Sequence, residues 1–298
     1  MKAQDAFGTV LTAMVTPFTP DGSKVDFDKA AQLANDLVDL GNNGLVVNGT
    51  TGESPTTDEH EKFELLKCVV DAVGDRAKVV AGAGSNDTAH SVLLAKDAVK
   101  AGAHGLLVVT PYYNKPPQAG VIAHMHAVAD ATDLPVMVYD IPGRAGIPIT
   151  TESMLKLSEH RHIIANKDAK AALWSASEVM AKSDLAYYSG DDGLNLALLA
   201  VGAVGVVSVT GHIVADRHKA MVEAMEKNDV ETARAINRSL VPITEGLMTR
   251  AGGAIMVKAA LDLLGKVGGG SLRLPLVPAT QAQIEQLRID LIAGGFTL

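Results

Sequence analysis

The chain has 298 residues, 47% of them hydrophobic, enough for one large core, and α/β barrels reach this length as a single domain. Its net charge of -8 and the absence of a basic stripe argue against nucleic acid as a partner. No apolar run is long enough to cross a bilayer and residues 1–5 carry no signal-peptide pattern, so a cytoplasmic protein with no membrane partner is expected.

Eight short apolar runs punctuate the first three quarters of the chain, at 9–15, 44–47, 78–81, 105–109, 135–139, 163–165, 185–188 and 205–209. Helical periodicity lies between them. Residues 27–40, for example, set Ala30, Leu33, Leu37 and Leu40 on one stripe. Alternating strands and helices with short connections predict a parallel sheet, and eight repeats predict closure into a (β/α)8 TIM barrel. An internal repeat agrees: Gly41, Gly102 and Gly202 suit helix C-caps, and Gly44, Gly105 and Gly205 open the next strand. Cys68 has no disulfide partner and no metal-ligand neighbour at useful spacing, so it reads as core filler. After about Asp216 the strands stop, and 221–227, 230–248, 255–264 and 280–292 read as helices. The expected organisation is a barrel over residues 1–228, with its site at the strand C-terminal ends, and a helical subdomain over 229–298 for support or subunit contact.

The strand ends carry the chemistry. Lys167 follows Ile163, Ile164, Ala165 and Asn166, and strand alternation gives it the face of Ala165 and Ile163. Half-neutral at pH 7, a lysine needs its pKa brought down from about 10.4 by about 3.4, or about 4.6 kcal/mol, which burial can supply. A neutral amine there can attack a carbonyl to form a Schiff base; a lysine that only snorkels to water is the structural alternative. Three of the five tyrosines, Tyr112, Tyr113 and Tyr139, stand at mouth positions, as catalysts or as rim and core packing. Gly49-Thr50-Thr51-Gly52 is either a tight turn or an anion cradle with two hydroxyls. Arg144, after Pro142-Gly143, is either solvated or a fork for a carboxylate. Asp191-Asp192 has no third ligand to complete a metal site and reads as an N-cap for a helix at 194–201.

Taken together, Gly49 to Ser54, Pro111 to Pro116, Tyr139 to Arg144, Lys167-Asp168-Ala169, Ser189 to Asp192 and Arg273-Leu274-Pro275 resemble the dihydrodipicolinate synthase family of Schiff-base aldolases and lyases, in order and along almost the whole chain. The resemblance implies condensation of pyruvate with L-aspartate 4-semialdehyde and no cofactor or metal. It implies Lys167 as the Schiff-base lysine, Thr50 and Thr51 on the pyruvate carboxylate, and a proton relay from Tyr139 through Thr50 to Tyr113. It further implies Arg144 on the semialdehyde carboxylate, Gly190 and Val207 lining the lysine pocket, and a homotetramer built as a dimer of dimers in which Tyr113 serves a neighbour. Asn166 departs from the family, which usually has an apolar residue there; it should face the helices.

Sialic acid lyases and 2-keto-3-deoxy-sugar acid aldolases share a strand-six lysine and form the alternative, as does a ligand sensor that has lost the reaction. The Thr50-Thr51 cradle, the paired tyrosines and Arg144 favour the synthase. Regulated family members bind L-lysine between subunits through two histidines and a glutamate whose positions here hold Glu59, Lys62 and His90. Insensitivity to lysine is therefore expected.

Overall fold

Each predicted apolar run becomes a strand, because a strand covered on both faces needs unbroken apolar sequence. The computed structural model describes Met1–Leu298. Its strands are β1 (Val10–Ala13), β2 (Gly44–Val47), β3 (Lys78–Gly82), β4 (Gly105–Val109), β5 (Val136–Asp140), β6 (Ile163–Asp168), β7 (Ala186–Ser189) and β8 (Gly205–Ser208). They pair in parallel in chain order and close through Val10 opposite Val206. The TIM barrel stands. Strand alternation splits the core in two: Val138, Tyr187 and Val206 face the helices, while Tyr139, Ala165, Tyr188 and Val207 fill the barrel interior.

A short helix that the sequence reading did not anticipate, Ala3–Phe7, closes the barrel floor. Phe7 is fully buried, meets Tyr188 edge-on with ring centroids 6.3 Å apart, and the Tyr188 hydroxyl donates to the Gly8 carbonyl at 2.8 Å. This plug explains two of the strand-opening glycines. A Cβ on Gly44 would lie 2.4 Å from the Phe7 carbonyl oxygen, and one on Gly105 would lie 2.5 Å from the Phe7 ring. The cap glycines Gly41, Gly102 and Gly202 all have positive φ.

Two boundaries move. β6 runs on through Asp168 instead of stopping at residue 165, so Lys167 sits within the strand. The helix expected to begin at 221 begins at Gly211, with a kink at Val214, and covers β8 as the barrel's eighth helix. Cys68 is half-buried, its Sγ 3.3 Å from the Phe27 carbonyl, rather than deep in the core. Beyond it, helices Val230–Met248, Gly253–Leu263 and Gln281–Ala293 bury Ile243, Leu247, Met256, Val257, Leu287 and Leu291 in the same apolar layer as the barrel helices. No helix is long and apolar enough to cross a membrane.

Candidate active site

The period of two places Tyr139 on β5 and Lys167 on β6 inside the barrel, and the strand register sets them side by side. The Lys167 amine lies 4.2 Å from the centre of the Tyr139 ring and the side chain is 4% exposed. Burial brings its pKa down to about 8, against the opposing charge of Asp192 and with some help from Arg144. About one lysine in ten is then neutral at pH 7, short of half but enough for a nucleophile. Burial also pushes the Tyr139 phenol up to about 12, so this group is protonated at neutral pH. Gly190 is required beside them. A Cβ there would lie 2.7 Å from Lys167 Cγ and 2.8 Å from Cε, so any side chain would displace the amine. Val207 is buried in the interior layer with Tyr139.

Tyr139 lines a cavity of about 340 Å³, while Lys167 is not part of the cavity wall. Thr50, Tyr113, Tyr139 and Arg144 share its wall, with Tyr112 and Ser54. Thr51 is buried one step behind Thr50, in a loop fixed by Glu53 N–H to the Thr50 carbonyl (3.1 Å) and by the Thr16 hydroxyl to the Gly52 carbonyl (2.6 Å). Tyr139, Thr50 and Tyr113 line one cavity, and no direct hydrogen bond joins their hydroxyls. Tyr113 is unusual: it holds φ +73° and is 87% exposed in the single chain. A bulky residue in the left-handed region carries strain, and such positions cluster at functional sites.

Asp192 is not the helix cap that its sequence position suggests. The helix starts at Asn195 without a side-chain cap. Instead the Asp192 carboxylate accepts from the amides of Val209 and Thr210 (both 2.8 Å) and from the Ser208 hydroxyl (2.6 Å). His218, fully buried, lies 3.7 Å away and its Nε2 is 2.7 Å from the Thr210 hydroxyl. Burial raises the carboxyl pKa, but His218, the Ser208 hydroxyl and the two amides outweigh it and hold Asp192 ionised. It joins the ends of β7 and β8 and faces the lysine electrostatically. Asp191 supplies the local turn contact, to Gly193 N–H at 2.9 Å.

Behind the strands is a second group that motif reading did not assign. Asp140 alternates with Tyr139 and so points at the helices; it accepts from Ile149 N–H (3.1 Å) and pairs with Lys170 Nζ (3.0 Å). Lys170 also donates to the Ile149 carbonyl (2.9 Å), which pins the far end of the segment carrying Arg144. Asn166, fully buried, sits on the same outward face beside Tyr187, and neither amide atom has a protein hydrogen-bond partner.

Residues 6–293 match the Dihydrodipicolinate synthetase family. The chain is 57% identical over 289 residues to the 4-hydroxy-tetrahydrodipicolinate synthase of Kineococcus radiotolerans, covering 97% of this chain and 94% of that one. It is 58% identical over 295 residues to 4-hydroxy-tetrahydrodipicolinate synthase 2 of Streptomyces coelicolor, covering 99% and 98%. Among solved structures, the DHDPS of Cyanidioschyzon merolae with lysine bound superposes with a TM-score of 0.94 at 42% identity, over 97% of this chain and 99% of that one.

Proposed function

The chain belongs to the dihydrodipicolinate synthetase family, and from that premise we infer that its barrel mouth performs the family condensation with Lys167 as covalent catalyst. The protein is a lyase that joins pyruvate to L-aspartate 4-semialdehyde through a lysine Schiff base, giving 4-hydroxy-tetrahydrodipicolinate for diaminopimelate and L-lysine synthesis. The observation that carries the residue assignment is the buried Lys167 amine, brought to a pKa of about 8 over the Tyr139 ring.

The neutral Lys167 amine adds to the ketone carbon of pyruvate, and loss of water leaves a cationic imine. That cation acidifies the methyl group, and removal of a methyl proton gives the enamine. Its carbon attacks the aldehyde carbon of the semialdehyde, whose oxygen takes up a proton. The amino group of the product then attacks the imine carbon, closes the ring and releases Lys167. Thr50 and Thr51 hold the pyruvate carboxylate, Arg144 holds that of the semialdehyde, and Gly190 and Val207 shape the lysine pocket. Every proton moves through hydroxyls. With its pKa at about 12, Tyr139 cannot rest as phenolate, so Tyr139, Thr50 and Tyr113 pass protons in concert.

Residues 1–228 supply every reacting group and 229–298 support them. The relay is completed across subunits, in a homotetramer arranged as a dimer of dimers, with the exposed, strained Tyr113 reaching a neighbour's mouth. The unpaired Cys68 suits a reducing compartment, the cytoplasm. Turnover of pyruvate and the semialdehyde, coupled to a reductase acting on the product, tests the reaction. Sedimentation at assay concentration tests the assembly: a monomer with full activity would show that the relay needs no neighbour's Tyr113.

A further inference from the structure

Two motifs singled out in the sequence have no part in this chemistry: Glu53, beside Thr50-Thr51, and Arg273, far along the chain. They meet. Glu53 has φ +57°, and its carboxylate turns away from the cavity into the seam with the C-terminal helices. There Oε1 accepts from Lys258 Nζ at 2.6 Å and Oε2 from the Arg273 backbone N–H at 3.0 Å. Glu53 and Lys258 side chains are each 1% exposed. Lys258 also donates to the Ser271 carbonyl (2.7 Å) and lies 4.3 Å from the centre of the Phe18 ring. Arg273 Cζ lies at the same distance from that ring. All five Arg273 donors are used: on the carbonyls of Gly22, Thr56 and Ser23, and on both oxygens of Glu61 at 2.6 Å.

Such a seam is more than packing requires. An apolar pair of the same volume would dock the helices as well or better, because a buried ion pair recovers its desolvation cost only in good geometry. What the charges add is direction, since they fix one carboxylate at one point. That carboxylate lies two residues from Thr51, in the loop that Thr16 holds from the other side. Pulled from both flanks, the loop has one position.

We infer that Glu53 and Lys258 are positioning residues for pyruvate: their pair, braced by Arg273, sets the height of the Thr50-Thr51 cradle. This rests on the reading that those threonines hold the pyruvate carboxylate. The C-terminal helices therefore act on the first substrate and little on the second.

Full-length Lys258→Met, Glu53→Gln and the double variant test this, with Thr51→Val beside them. Pyruvate half-saturation is read by borohydride trapping, KM for the semialdehyde by turnover, and folding by Tm. Lys258→Met strands a buried carboxylate; if it does not fold, the double variant, which removes both charges, carries the test. The expected result is pyruvate half-saturation raised about tenfold, the scale of one charge-assisted hydrogen bond lost, with the semialdehyde KM within about twofold. Lowered Tm with pyruvate half-saturation unchanged in the double variant, while Thr51→Val raises it, overturns the positioning role alone. Unchanged half-saturation in Thr51→Val overturns the cradle reading and the inference with it.

Discussion

The barrel mouth and the C-terminal seam each bury a lysine against an aromatic ring, with amine-to-ring distances of 4.2 Å at Lys167 and 4.3 Å at Lys258. Burial lowers the pKa of both. Yet the surroundings differ in one respect. Lys258 touches a carboxylate and a carbonyl, and the Glu53 contact works against its desolvation. Lys167 has a ring and a glycine beside it, and its counter-charge, Asp192, is already engaged by two backbone amides, the Ser208 hydroxyl and the Asn195 side chain. Depth does not make a nucleophile. A lysine becomes one when its carboxylate is kept occupied by other donors.

The contrast breaks most sharply under chemistry. Borohydride with pyruvate should add its adduct to Lys167 and leave Lys258 unlabelled, and Lys167→Ala should lose roughly several orders of magnitude of turnover. A peptide map with the label elsewhere ends the assignment. Next in size, Arg144→Ala should raise KM for the semialdehyde about 10- to 100-fold, from about 1.5–3 kcal/mol of bidentate contact. Its effect on pyruvate should be smaller, and equal effects on both substrates would contradict the assignment.

The pH profile sharpens the comparison further. Schiff-base formation should rise through about pH 8 as Lys167 loses its proton. Asp192→Asn, which removes a charge that favours the ammonium, should move that limb to lower pH. Stability follows the same proton. From about 8 to 10.5 the unfolded lysine holds a proton that folded Lys167 has released, so stability rises with pH across this window. Lys167→Met should flatten the rise in a Tm series.

The smallest expected effect is none, at a third buried lysine. Lys62 donates to the Thr57 carbonyl and stands beside Asp58, Glu59 and Glu61, while His90 Nε2 lies 3.4 Å from Glu59 Oε1. The acceptors at these positions are engaged by the chain's own side chains. Initial rates should stay unchanged in about 1 mM L-lysine, the concentration scale at which weak specific sites fill. A halved rate would show that the site survives.

The strands are legible in the sequence because burial on both faces demands apolar runs, and the mouth residues are legible because they follow those runs at fixed offsets. Partners brought by the chain from far away are not. Asp192 reads as a cap because helical amides are its nearest donors in sequence, whereas only the Asn195 side chain donates from that helix and the backbone donors, Val209 and Thr210, come from the end of the next strand. Lys258 did leave a signal. It falls on the buried stripe of Ala254, Val257 and Leu261, where a charge must have a partner. Nothing nearby could name Glu53, 205 residues earlier.

The plugged floor of the barrel also sets a clock. Phe7 and Gly8 leave the ribosome well before the Tyr188 that receives them, 180 residues later, and β1 cannot close on the sheet before β8 exists. At about 5–20 residues per second, synthesis keeps the first helix waiting roughly 10–40 s for its seat. For that interval the apolar side chain of the barrel floor is in the care of the cell rather than of the fold.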